Sequence, residues 1–142
     1  MESGKTNFKD IIVVNCGLEK DLLGEINKSI EKHNIKNGVI LSGYGTLSEA
    51  VLHMVTTTDY PVKEHFEEMN KPLEIISIDG LIVEGDLHAH ITLSDKDQAY
   101  GGHLEPGCKV LYLAEIVIGI FEDNIKLKRK ENEHGLNLLH IN

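Results

Sequence analysis

The chain has no tryptophan, three phenylalanines and four tyrosines, and it carries no aromatic-lined pocket signature from which a substrate could be read. It has a single arginine, Arg129, which removes the bidentate guanine contact on which most specific DNA readers depend. With 14 Lys and Arg against 23 Asp and Glu, the net charge is −9, the wrong sign for counterion release from a phosphate backbone. The two cysteines, Cys16 and Cys108, have no framework spacing and point to a reduced, cytoplasmic setting. No apolar run of about 18 residues is long enough to span a bilayer, and the stretch from Met1 to Lys5 lacks the apolar region of a secretory leader. No membrane partner is expected. Gly43 and Gly45 are not followed by a phosphate-loop Gly-Lys-Ser/Thr sequence, and no nucleophile has an evident base beside it. There is no repeat, low-complexity tract or linker.

What remains is a 142-residue chain with ordinary apolar content, enough for one core. Residues 1–7 read as a polar lead-in and 8–142 as a single domain. Ile11 to Val14 is a continuous apolar run, expected as a buried strand. Glu19 to His33 is expected as the one main helix, because Leu22, Leu23, Ile26 and Ile30 recur at helical spacing. Val39 to Val55 reads as strand, with Gly43 and Gly45 marking a bulge or bend. Val62 to Asn70 is polar and short, compatible with one helical turn. Leu73 to Val83 reads as a strand broken at Asp79-Gly80. Val110 to Phe121 is the most apolar strand, with Glu115 its only charge, and Ile125 to Lys130 alternates as a half-exposed strand. About seven strands with short connections and one helix predict an α+β fold: a mostly antiparallel, curved sheet or open barrel with the helix packed on it.

The densest chemistry lies between Leu87 and Gly107. Residues two apart in a strand share a face, so His88 and His90 point one way and Leu87, Ala89, Ile91 and Leu93 the other. A polar tip at Lys96-Asp97 turns the chain back. An even, symmetrical hairpin pairs positions whose numbers sum to 193, setting His90 opposite His103 with Cβ atoms about 4.5–5.5 Å apart. An odd loop would send His103 to the opposite face. In the even register three imidazoles share one patch away from the core. Three neutral imidazoles suit a tetrahedral divalent metal, zinc first, with a fourth position open.

Five segments resemble one known family, in its order. They are Ser42-Gly43-Tyr44-Gly45-Thr46-Leu47-Ser48-Glu49-Ala50, Ile75-Ile76-Ser77-Ile78-Asp79-Gly80, Leu87-His88-Ala89-His90-Ile91-Thr92-Leu93-Ser94-Asp95, Gly101-Gly102-His103-Leu104 and Ala114-Glu115-Ile116-Val117-Ile118-Gly119. Over residues 8–130 the chain is similar to the plants-and-prokaryotes-conserved (PPC) domain, in its standalone prokaryotic form. The resemblance implies a homotrimer, and it implies that His88, His90 and His103 are metal ligands, with zinc the usual candidate. In plants the domain follows AT-hook segments. This chain has no Arg-Gly-Arg-Pro core, so nucleic acid is not an expected partner of this chain alone.

Glu115 is either a hydrogen-bonding group or a carboxylate that orients a histidine. It is also the only candidate base for a metal-polarised small ligand. Ser94 and Asp95 read as turn formers, and His53 and His65 as satisfied sheet histidines. Three functions follow as expectations. One is a trimeric metal site that binds or hydrolyses a small ligand. A DNA-associated protein is the alternative by family analogy, and the third is an interaction module with a purely structural metal.

Overall fold

Alternation and turns decide this fold more than helix propensity does. The computed structural model describes residues 1–142. In chain order it contains β1 (Phe8–Cys16), α1 (Leu22–Lys32), β2 (Gly38–Val55), β3 (Glu64–Val83), β4 (Asp86–Ser94), β5 (Ala99–Leu104), β6 (Lys109–Phe121), β7 (Leu127–Glu131) and β8 (Asn137–Ile141). The main sheet has the order β1-β6-β2-β3-β4-β5, and a further pairing of β2 with β5 curls it closed. Every pairing is antiparallel. β7 and β8 form a separate two-stranded ribbon. The expected α+β architecture is the one observed.

The helix forms where its apolar stripe lies. Leu22, Ile26 and Ile30 are buried, on one face at four-residue spacing. Its cap is shared with the sheet. One Asp21 carboxylate oxygen accepts from the Gly24 amide at 2.7 Å, and the other accepts from the Gly107 amide at 2.7 Å, tying the helix to the β5–β6 turn. The stripe packs into one cluster with Leu47, Leu52, Ile78, Ile91, Leu104 and Ile116, among others. Each such side chain contributes roughly 1.5–3 kcal/mol by leaving water. Ala89, Ile91 and Leu93 supply β4 to this cluster, which leaves His88 and His90 on the open face.

Three segments differ from the expectations. Residues 64–70 are strand, not a helical turn: β3 starts at Glu64 and pairs with β2 from Val55 down to Glu49. Pairing with an existing strand overrides the weak local signal of Glu64 to Glu68. β3 is also unbroken at Asp79-Gly80. A Cβ on Gly80 would lie 2.6 Å from the His88 carbonyl oxygen, so this glycine is where β3 and β4 draw close beside the histidines. Finally, β1 is an edge strand, with Ile11 and Val13 58% and 74% exposed, while Ile12 and Val14 pack on the core. The glycines of β2 lie among register shifts against β6, the bend their spacing predicts. The lead-in is tied to the chain's end: the Ile141 amide donates to Glu2 at 2.9 Å. No helix is long and apolar enough to cross a membrane.

Candidate metal centre

The β4–β5 hairpin adopts the even register. His90 pairs with His103, Thr92 with Gly101 and Ser94 with Ala99. The imidazole centroids of His90 and His103 are 5.6 Å apart, those of His88 and His103 4.8 Å, and those of His88 and His90 5.5 Å. All three rings therefore meet on one patch of the open sheet face, and His103 stands edge-on to the other two.

Two further residues stand there: His53, expected only as a satisfied histidine, and Glu105, which no motif singles out. Closure of the sheet sets His53 of β2 opposite His103, with ring centroids 5.0 Å apart. Glu105 follows two residues after His103, at the end of β5. One oxygen of its carboxylate, Oε1, lies 2.8 Å from His103 Nδ1 and 2.8 Å from His53 Nδ1. The Glu105 signal was present in the strand alternation, which places residue 105 on the side of residue 103. The His53 signal was not, because it depends on the β2–β5 closure. Phe66 stacks on His53 at 5.2 Å, and Glu64 Oε1 lies 3.3 Å from His53 Nε2.

The electrostatics follow from crowding. Partial burial pushes the His88 and His90 pKa values down, and neighbouring cationic forms, chiefly that of His103, push in the same direction. Both effects favour the neutral form that a metal requires. Burial alone would raise Glu105, but its hydrogen bonds to His53 and His103 outweigh that and hold the carboxyl below its usual value. An ionised carboxylate only accepts, so both imidazoles donate to it from Nδ1. A neutral His103 then has its lone pair on Nε2. A carboxylate fixing one ring nitrogen while the other is free for an ion is the usual support of a histidine ligand.

Two overlapping groups of side chains could serve as metal ligands. His88, His90 and His103 form the three-imidazole patch. His53, His103 and Glu105 form the tighter cluster, with one ligand atom from each lying within 4.8 Å of the others. The donor chemistry of either set fits a divalent ion of the zinc type. Glu115 is placed otherwise. It lies on β6 between Asn15 and Tyr44, and it accepts the Tyr44 hydroxyl rather than any of these histidines. Asp95 shapes the hairpin tip: it takes the amides of Asp97 and Gln98 at 2.8 and 2.9 Å and the Lys71 ammonium at 2.7 Å. Arg129 of β7 shares a groove with His88 and His90.

Comparison with known proteins places the chain in a family and its fold among solved structures. The chain is 33% identical over 100 residues to a bifunctional protein GlmU from Synechococcus sp. (strain JA-2-3B'a(2-13)), a match spanning 70% of this chain but 15% of that protein. A plant- and prokaryote-conserved protein from Pyrococcus horikoshii is 25% identical, with a TM-score of 0.82 over 99% of this chain and 97% of that one. A metal-containing protein from Archaeoglobus fulgidus shares the fold at 23% identity and a TM-score of 0.81, covering 97% of this chain and 98% of that one. A candidate DNA-binding protein from Bacteroides thetaiotaomicron shares it at 20% and 0.77, covering 95% and 96%. The family model for the Plants and Prokaryotes Conserved (PCC) domain matches residues 3–122. The chain thus belongs to the Plants and Prokaryotes Conserved domain family, the same domain the sequence motifs resemble.

Proposed function

We propose that this chain is a homotrimeric metal-binding domain. In this reading His88, His90 and His103 hold one divalent ion, zinc by preference, and Glu105 orients His103. The observation that carries it is the Glu105 oxygen set 2.8 Å from His103 Nδ1, which leaves Nε2 of that ring free, with the rings of His88 and His90 centred 4.8 and 5.6 Å from it. Three protein ligands leave a fourth position open, where a small ligand is bound or hydrolysed. A bound ion would supply Lewis-acid polarisation of that ligand. The protein's own residues favour the neutral form of His88 and His90, orient His103 through Glu105 and set all three rings on one sheet face. The description of the Archaeoglobus relative as metal-containing agrees with this reading.

The trimer is supported by apolar sheet residues that a lone chain leaves in water. Ile11, Val13, Ile76 and Tyr112 are 58%, 74%, 58% and 71% exposed. We place this domain in the cytoplasm, in line with its two free cysteines. Metal analysis together with light scattering tests the proposal. The native protein should carry about one zinc per chain and the mass of three chains. The double variant His88→Ala/His90→Ala should lose the metal and keep the mass. Unchanged metal stoichiometry in that variant would sink the assignment.

A second reading is DNA association, favoured by the description of the Bacteroides relative. The net charge of −9 and the single arginine speak against it. A mobility shift on duplex DNA at low salt decides: no shift removes this reading. In a third, the metal is structural only. Chelation would then lower the melting temperature or dissociate the trimer with no ligand binding lost.

A further inference from the structure

Arg129 lies beyond the residues that the family model matches and outside the histidine hairpin. It reaches the site through packing of its own. Ile125 and Leu127 form a small second core with Val83, and Leu81 and Ile141 pack against it. That docking holds β7 beside the end of β3. It turns Arg129 into a groove of about 460 Å³ that it lines together with Val39, Asp79, Leu81, His88 and His90.

The arginine is under-used where it stands. Nη1 donates to the Asn137 carbonyl at 3.3 Å, while Nε is buried with no partner. It makes no ion pair, in a chain whose 23 acidic residues exceed its 14 Lys and Arg. Asp79 shares the groove, where one of its oxygens takes the Ser77 hydroxyl at 3.1 Å, and it forms no ion pair with Arg129. A part-buried guanidinium without a carboxylate is costly unless something else completes it. Its planar fork of donors matches the two oxygens of a carboxylate or phosphate group. A divalent ion on neutral histidines would add two positive charges to the same groove. Guanidinium and ion would then repel one another, and an anion between them turns that repulsion into attraction to both.

We propose that Arg129 holds the anionic head, a carboxylate or phosphate group, of a small ligand that reaches the His88–His90 face of the metal site. This rests on the three-histidine reading for the ion but on separate residues for the anion. It makes the ligand a small oxyanion and assigns the β7–β8 ribbon the task of selecting it.

The test uses the full chain loaded with cobalt(II) in place of zinc, with metal content measured on every sample. Acetate and inorganic phosphate are titrated separately into the native protein, Arg129→Met and Arg129→Lys, following the visible cobalt bands and the heat of binding. The methionine keeps the apolar stem, and the lysine keeps the charge if methionine does not fold. One of the two anions should bind to the native protein and shift the cobalt bands, and its identity tells carboxylate from phosphate. Arg129→Met should raise its Kd about tenfold or more, the equivalent of one charge-assisted hydrogen bond, at unchanged cobalt content. Arg129→Lys should lie between, since an ammonium keeps the charge but not the fork. Full cobalt with the same Kd in all three proteins overturns the role of Arg129 and leaves the metal site standing. No binding of either anion overturns it as well. If the native protein takes up no cobalt, the metal reading fails and the calorimetric arm alone decides: a Kd that Arg129→Met does not raise overturns the proposal.

Discussion

Replacing Glu105 by glutamine removes one charge and leaves the side chain's shape, so it isolates what the carboxylate does. Its Oε1 faces the Nδ1 atoms of His53 and His103, each at 2.8 Å, and the three side chains are only 20–24% exposed. Solvent therefore screens these bonds little. A hydrogen bond to a charged acceptor is worth about 1.5–3 kcal/mol and a neutral one about 0.5–1.5 kcal/mol. Glutamine can still accept through its carbonyl, so the change at His103 is the difference, on the order of 1–1.5 kcal/mol. That corresponds to roughly tenfold in zinc affinity, at the lower end of the 10–100-fold typical of residues that support a metal ligand. The assay is competition for zinc against a chromophoric chelator at fixed pH. Glu105→Gln should bind zinc about tenfold more weakly at full stoichiometry, and His53→Ala should spare most of the affinity. Native affinity in Glu105→Gln would refute the orienting role. Loss of zinc from His53→Ala, with zinc retained in His88→Ala/His90→Ala, would refute the three-imidazole site in favour of His53, His103 and Glu105 as the ligands.

Further outcomes follow from the same geometry. Gly102→Ala puts a Cβ 2.8 Å from the His53 carbonyl oxygen, so it should force β5 off β2, cost about 1–3 kcal/mol in urea unfolding and weaken zinc binding at the same time. Burial pushes the thiols of Cys16 and Cys108 up to about 11, so neither should react with Ellman's reagent at pH 8 until the protein is unfolded; rapid labelling of the native chain would contradict their burial. The metal-free protein should lose stability as pH falls below the ordinary histidine value of 6.5, because His88 and His90 take up protons less readily folded than unfolded, and the penalty grows until pH reaches their lowered folded values. Glu105 adds to the loss at lower pH, as the unfolded carboxyl protonates before the folded one. A urea midpoint that rises between pH 7 and pH 5 would reverse this sign and reject the assignment.

The parts legible in the sequence are those in which cause and effect lie close along the chain. His88 and His90 share a face because strands alternate with period two, and the short loop to His103 admits only an even or an odd register. The helix announces itself through Leu22, Ile26 and Ile30. Residues 64–70 misled because their polar run has no period of its own, and it becomes strand only by pairing with β2. Ile11 to Val14 misled in the other direction: a run apolar on both faces reads as buried, yet β1 is the edge of a sheet whose outer face a single chain leaves bare.

The sequence alone was enough for an α+β fold, an acidic chain and a hairpin that sets three imidazoles on one side if its register is even, all consequences of composition, alternation and turn length. The tertiary structure decided what surrounds those imidazoles. His53 and Glu105 are 52 positions apart and meet only because β2 pairs with β5. Glu115, the carboxylate that stood out in the sequence, bonds Tyr44 instead, and Arg129 comes to His88 only through the packing of a second small core. Contacts of that range are set by sheet closure and by the burial of apolar side chains far from the site, and no local pattern encodes either.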